Sequence, residues 1–523
     1  MKNLPIGIQD FRKLQIKGYI YVDKTAHLLN LIRTGRRYFF SRPRRFGKSL
    51  TISTLEAMFR GEHELFEGLA AEDWVKEQAE HPSPVLHLDM SMLGYYETAE
   101  KFENALYVHV KHALPSDVSS IPYEVNVGLY LGNVLKTLYE AHGMVVLLID
   151  EYDTPILHNL NDSEKLEKIR KIMQSFYSVI KGSDKYLSFV FITGISKFSK
   201  MGVYSSMNNL FDISMHEQYG TMLGFTQEEI EKFFSPYIEK TSKKLSMKPS
   251  ELLFSLKRYY DGYSFDGVHR VYNPFSLVNF FAVEKFNAFW YESGSPTFLY
   301  EWLKSHGIDD IERFRDVHVV NDFTSTREIE KASVESFLFQ SGYLTIVDKG
   351  DLSFTLDYPN QEVLIAMSQL YLECTYHMER YFLLGRDLWH AIYNGDIAEI
   401  VRLYNQALST IPYDDFSNRN EYWYRSLFIM FLYSLNTIIF AEVHTSKDRS
   451  DVCIMLENCA SVFEFKFAKQ SCDVEKAFSE GIKQIQEKEY AKSYDIENYT
   501  VTEVVFVIDD EKRLMHAQEV KNT

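Results

Sequence analysis

Ser41-Arg-Pro-Arg-Arg-Phe-Gly-Lys-Ser49 follows the short apolar run Tyr38-Phe-Phe40. It precedes a stretch in which Leu50, Leu55, Met58 and Phe59 fall close to one helical face. A strand that turns into a helix through Gly-Lys-Ser is the setting in which a phosphate loop has mechanical meaning. Backbone N–H groups at the helix start face the phosphates, and the helix dipole favours their negative charge. On this reading Gly47 belongs to the cradle, Lys48 extends to the β- and γ-phosphates of ATP, and the Ser49 hydroxyl ligates Mg²⁺. The first glycine of G-x-x-x-x-G-K-[ST] is replaced by Arg42, and a non-glycine there is restricted in φ. Arg44 and Arg45 are expected to compensate by adding positive charge toward the phosphates. The competing reading is a solvated basic turn.

A second stretch argues independently. Val145-Val-Leu-Leu-Ile149 reads as a buried strand that ends in Asp150-Glu151. Adjacent carboxylates at the carboxyl end of such a strand suit Mg²⁺ coordination by Asp150 and water activation by Glu151. A strand that surfaces in charged residues is the bland alternative. Phe189–Ile192 is a further strand, followed by Thr193-Gly194. Thr193 is either a γ-phosphate sensor or a plain strand end. With Val85–Leu88, these short apolar strands alternate with helical segments such as Gly132–Ala141 and Glu164–Ile180. That alternation implies an α/β fold with a parallel sheet covered on both faces.

The bulk numbers narrow the class. At 523 residues the chain is too long for one core. Its hydrophobic share of 46% and only 13 prolines describe a folded protein without low-complexity tracts. The 15% aromatic content is spread along the chain, which reads as core packing before base stacking. A net charge of −17 counts against a protein that coats DNA by bulk electrostatics. It leaves room for an enzyme that takes nucleic acid into a small site. Cys374, Cys453, Cys459 and Cys472 give no disulfide framework and no C-x-x-C element, so a reducing compartment is expected and a zinc site is disfavoured. The first twenty residues lack a signal-peptide core, and no apolar run approaches the roughly 18 residues that span a bilayer. The expected location is the cytoplasm, without a membrane partner.

A new unit is expected near Gly224, where Thr226 and Glu229 have capping-box spacing ahead of an amphipathic helix. From about residue 425 the pattern becomes helix (Tyr422–Leu435), hairpin (Asp451–Leu456 with Ser461–Phe467), helix (Asp473–Tyr490) and strand (Val501–Ile508). Ser461-Val-Phe-Glu-Phe-Lys-Phe467 alternates strictly, with the phenylalanines on one side and Val462, Glu464 and Lys466 on the other. Glu457-Asn458 supplies turn chemistry, and the hairpin brings Asp451 near Glu464 and Lys466. Asp451 and Glu464 could then hold Mg²⁺ or Mn²⁺, while Lys466 orients or activates water or offsets developing charge. Glu442, on or just after the preceding helix, could add a carboxylate. An ordinary half-solvated strand carrying a salt bridge fits the same pattern.

Several blocks together resemble one family. Leu4-Pro-Ile-Gly-Ile-Gln-Asp-Phe11, Tyr21-Val-Asp-Lys-Thr25, Arg42-Pro-Arg-Arg-Phe-Gly-Lys-Ser49, Leu148-Ile-Asp-Glu-Tyr-Asp153 and Thr193-Gly-Ile-Ser196 are similar to the AAA-ATPase-like family that often carries a C-terminal PD-(D/E)XK nuclease-like domain. Tyr260-Asp-Gly-Tyr263, Tyr272-Asn-Pro274, Phe339-Gln-Ser-Gly-Tyr343, Arg449-Ser-Asp451, Glu464-Phe-Lys466 and Gln484-Ile485…Tyr490 extend the likeness along nearly the whole chain. The resemblance implies an ASCE/AAA-like P-loop NTPase domain over 1–224 and a helical, winged-helix-like middle over 225–380. A restriction-endonuclease-like α/β domain over 381–523 completes it. It implies that Lys48, Ser49, Asp150 and Glu151 serve ATP and Mg²⁺, and that Asp451, Glu464 and Lys466 form a second centre flanked by the helix of Gln484 and Tyr490. The family tends to have Gly before Arg-Ser-Asp, where this chain has Asp448, an extra carboxylate that bears on the metal. The leading expectation is an ATP-regulated nuclease acting on DNA or RNA. The alternatives are a nucleotide-dependent switch or scaffold with an inactive nuclease fold, and an ATPase that moves DNA, for which there is no long basic tract. A homo-oligomer in which a neighbouring subunit lends an arginine finger is compatible with this reading, with no residue assigned.

Overall fold

The computed structural model describes residues 1–118, 120–123, 125–159, 162–197, 210–292, 303, 311–324, 333–374, 381–411, 419–434, 440–442, 451–456, 459–488 and 500–520. The chain divides into two compact units, Met1–Lys285 with Asp316–Gln361, and Phe286–Arg315 with Glu362–Thr523.

In the first unit, β1 (Arg37–Ser41), β2 (Val85–Asp89), β3 (Val145–Asp150), β4 (Leu187–Gly194) and β5 (Phe211–Asp212) form one sheet in the order β2-β3-β4-β1-β5. All its pairings are parallel. The helices of this region are α1 (Phe11–Ile16), α2 (Thr25–Thr34), α3 (Lys48–Phe59), α4 (Glu72–Glu80), α5 (Ala99–His112), α6 (Val127–His142), α7 (Thr154–Leu157) and α8 (Ser163–Gly182). β3 is buried at every position because α3 and α6 both pack against it, α3 with α1 and α4, α6 with α5 and α8. A strand covered on both faces has no polar side to alternate with, hence its unbroken apolar run. Local capping sets where the helices begin. The side chains of Thr98, Asn126 and Asp162 accept N–H bonds at the starts of α5, α6 and α8.

The capping box at Thr226 and Glu229 opens helix Gln227–Phe233, and Lys24 reaches the Glu229 carboxylate at 2.6 Å. Helices Ser235–Lys244, Pro249–Tyr260, Pro274–Val283 and Val334–Ser341 follow. They are joined by a three-stranded antiparallel sheet of β6 (Val317–Val320), β7 (Thr345–Lys349) and β8 (Ser353–Asp357), in the order β6-β8-β7.

In the second unit, β9 (Phe440–Glu442), β10 (Asp451–Leu456), β11 (Cys459–Ala468), β12 (Thr500–Asp509) and β13 (Leu514–Glu519) form a mixed sheet in the order β13-β12-β11-β10-β9. The alternation in β11 separates its two faces. Phe463 and Phe465 pack with Phe428 of helix Glu421–Tyr433 and with Phe506 of β12. Val462 joins Ala477, Phe478 and Ile485 of helix Val474–Lys488, with Val505 and Val507. Gly481 makes that helix's close approach achievable, since a Cβ there would meet Val505 at 2.5 Å. Among the described residues no helix is long and apolar enough to cross a membrane.

Candidate functional site

The order β2-β3-β4-β1-β5 inserts β4 between the strand that feeds the phosphate loop and the strand that ends in Asp150. Phe40 pairs with Thr193 and Ile149 with Ile192, so three strand ends meet at one edge. The Arg42 N–H donates to the Gly194 carbonyl at 3.1 Å and the Tyr152 N–H to the Thr193 carbonyl at 2.9 Å. The chains leaving β1 and β3 are thus both tied to the end of β4. Ligands of open α/β sheets bind at such carboxyl ends.

Gly47 caps α3 with φ of 98°, a left-handed conformation that glycine adopts without a Cβ penalty. Arg45 also has positive φ, 69°, which an L side chain adopts at some cost. Lys48 is only 4% exposed. Its Nζ donates to the carbonyls of Arg42 and Pro43 at 3.0 Å each, curling back under the loop. Burial pulls its pKa below the usual lysine value, and the fields of Glu151, Asp150 and Asp153 oppose that shift. Lys48 therefore faces the carboxylates at the end of β3 and not bulk water. Ser49 follows in the first turn of α3.

Asp150 is buried, and its Oδ1 accepts from Thr193 Oγ1 and, at 3.0 Å, from the Glu151 N–H. Glu151 has φ of 49°, so the backbone at this carboxylate is strained. Burial raises the Glu151 carboxyl above its ordinary range, with Lys48 pulling the other way. A carboxyl held up in this way suits proton acceptance from water.

Two features of this site were not legible beforehand. Asp153, the last residue of the Leu148–Asp153 block, is fully buried and accepts from the N–H groups of Ile195 (3.1 Å) and Ser196 (2.9 Å) and from Ser196 Oγ (2.6 Å). It locks the turn after β3 to the loop after β4. Arg42, 2% exposed, is held between the rings of Phe40 (4.3 Å) and Phe265 (4.2 Å). Its Nη1 donates to the carbonyls of Ser41 at 2.9 Å and Ser214 at 2.5 Å. Burial lowers its pKa to about 9, opposed by Asp266 and Asp212. The residue that replaces the loop's first glycine is thus an internal brace. Of the other two arginines, exposed Arg45 stands over the Phe275 ring at 4.8 Å, while the field of Arg44 reaches Lys48 and Glu151.

The second constellation lies in the mixed sheet. Asp451 is the register partner of Glu464, and Glu442 that of Cys453. Glu442 ends the strand β9, whereas the sequence pattern puts it on or just after the preceding helix. Glu464 is completely buried, and Lys466 Nζ donates to its Oε1 at 2.6 Å. The pair lies on the face covered by helix Val474–Lys488, which also carries Gln484. Among the described residues no group of three or more His, Cys, Asp or Glu gathers for a metal. Asp448, Arg449-Ser450, the Glu457-Asn458 turn and Tyr490 lie outside the described residues.

A parallel sheet in this order, with Gly-Lys-Ser after β1, defines an AAA-like P-loop domain, and the mixed sheet defines a PD-(D/E)XK-like one. Residues 5–204 match the family model described as predicted AAA-ATPase, and residues 419–518 match that of the PD-(D/E)XK nuclease superfamily. The chain is also 32% identical, over 505 residues and 94% of each chain, to the "uncharacterized protein in vnfD 5′ region" of Azotobacter chroococcum mcd 1. It belongs to the AAA-ATPase-like family and carries a C-terminal PD-(D/E)XK nuclease-like domain.

Proposed function

We propose that this protein binds and hydrolyses Mg-ATP at the phosphate loop and uses nucleotide turnover to control a metal-dependent nuclease centre that acts on DNA or RNA. The observation that supports it most is the convergence of Lys48, Asp150, Glu151 and Thr193 on one end of the parallel sheet. Lys48 would leave the Arg42 and Pro43 carbonyls for the β- and γ-phosphates, while loop N–H groups from Gly47 onward take phosphate oxygens. Arg44 adds positive charge beside Lys48 and Glu151, and Arg45 stands at the exposed rim of the loop. The hydroxyl of Ser49 and the carboxylate of Asp150 are hard oxygen donors that fit Mg²⁺. When bound, that ion neutralises charge on the phosphate oxygens. Glu151 takes the proton of the attacking water, and Thr193 holds Asp150 in place.

In the second unit, Asp451 and Glu464 would supply oxygen donors to Mg²⁺ or Mn²⁺, and Lys466 would orient water or offset charge on a scissile phosphate. One purified sample assayed for ATP hydrolysis and for cleavage of several nucleic acids tests both halves. Lys48→Ala should abolish the ATPase and Asp451→Ala the cleavage. Cleavage unchanged by Asp451→Ala removes the nuclease assignment. ATPase with no cleavage by the wild type points to a nucleotide switch on an inactive nuclease fold.

A further inference from the structure

Phe339-Gln-Ser-Gly-Tyr343 lies outside the phosphate loop and the strand ends, yet two of its residues connect to both loops of the nucleotide site, one directly and one through a ring. Gln340, in helix Val334–Ser341, is 7% exposed. Its Oε1 accepts the backbone N–H of Lys197 at 2.5 Å, and its Nε2 donates to Ser336 Oγ at 3.0 Å. Lys197 directly follows Ser196, whose N–H and hydroxyl are held by the Asp153 carboxylate. Asp153 stands two residues beyond Glu151 on the same turn. Next to Gln340, Phe339 meets Phe265 edge-on at 6.3 Å, and Phe265 is one of the two rings that hold Arg42. Adjacent residues of one helix therefore reach the loop after β4 directly and the phosphate loop through a single ring.

We propose that Gln340 is a positioning residue for ATP hydrolysis. By fixing the Lys197 amide it holds the Ile195–Lys197 loop against Asp153, and so sets where Glu151 and Thr193 stand relative to the phosphate loop. The Lys197 side chain has its own anchor, an ion pair with Asp212 at 2.5 Å. Loss of the backbone acceptor should therefore loosen the loop without detaching it. Displacements of this kind act on turnover more than on binding, because small errors at a reacting centre are costly while phosphate contacts survive.

The inference rests on the ATPase reading, and the test separates the two. In the full chain, ATP affinity by calorimetry and steady-state hydrolysis are compared for wild type, Gln340→Met and Gln340→Glu. Methionine keeps the volume and removes the acceptor, and glutamate restores an acceptor for the Lys197 N–H. The expected result is a kcat roughly 10–100-fold lower in Gln340→Met. Its ATP dissociation constant should stay within about three-fold of wild type, and Gln340→Glu should recover most of the rate. A Gln340→Met kcat within about two-fold of wild type overturns the inference alone, as does equal loss in both variants or loss of ATP binding in Gln340→Met. A wild type that neither binds nor hydrolyses ATP overturns the phosphate-loop reading, and this inference with it.

Discussion

Thr193 Oγ1 donates a hydrogen bond to Asp150 Oδ1, the oxygen that also receives the Glu151 N–H, so one buried atom joins the ends of β4 and β3. The arrangement fixes the backbone from which Glu151 projects, and it does so in a left-handed conformation that only a tightly bonded turn sustains.

Glu151→Gln should retain ATP binding and lose hydrolysis by about 10²-fold or more, the scale of a general base. Burial raises this carboxyl, and a base must be deprotonated to act. The acid limb of the wild-type rate profile should therefore lie above the ordinary carboxylate range, with activity rising as pH rises through it. Comparable turnover in Glu151→Gln would assign the proton transfer elsewhere.

Arg42→Gly restores the glycine of the common phosphate-loop pattern and should nevertheless destabilise the protein. It removes a guanidinium held between Phe40 and Phe265 and its bonds to the Ser41 and Ser214 carbonyls. The expected loss is about 2–4 kcal/mol, measurable by denaturant unfolding. A variant as stable as wild type would show that the brace contributes nothing.

Glu56 of α3 accepts from His87 Nδ1 and Arg60 Nε, each at 3.0 Å, and lies 3.5 Å from Arg12. Burial raises its carboxyl, but the His87 hydrogen bond and the positive charges of His87, Arg12 and Arg60 outweigh that and hold it at about 2. Its folded value thus lies below the ordinary carboxylate range, and the stability it contributes is present at neutral pH and lost as pH falls toward about 2. Discounted for solvent screening, this amounts to about 1–2 kcal/mol. The stability gap between wild type and Glu56→Gln should therefore shrink on acidification from about pH 6 to pH 3. A gap independent of pH would contradict the linkage.

Lys466→Ala should abolish cleavage while ATP hydrolysis persists. It also leaves Glu464 buried without the ammonium that now donates to it, so a stability loss of about 3 kcal/mol is expected. Cleavage undiminished in this variant would remove Lys466 from the chemistry.

The sheet was readable because Val145–Ile149 and Phe189–Ile192 are strands whose burial on both faces leaves an unbroken apolar signature. Strict alternation likewise announced β11, and its register with Asp451 followed from the hairpin. Arg42 could not be read. A basic residue in a phosphate loop suggests contact with anions, and only the folded chain brings Phe265 and Ser214 around it. Asp153 was hidden for the same reason, since its partners Ile195 and Ser196 lie far along the chain. β5, β9 and β13 went unseen because short or half-polar edge strands leave little periodicity.

The most direct test is calorimetric titration of Mg-ATP into the full chain and into Lys48→Ala. Saturable one-to-one binding by the wild type, weakened at least about 30-fold by the substitution, is the predicted result; that ratio corresponds to about 2 kcal/mol of lost phosphate contact. Equal affinity in the two proteins, or no heat of binding in either, would mean that Lys48 does not hold a triphosphate.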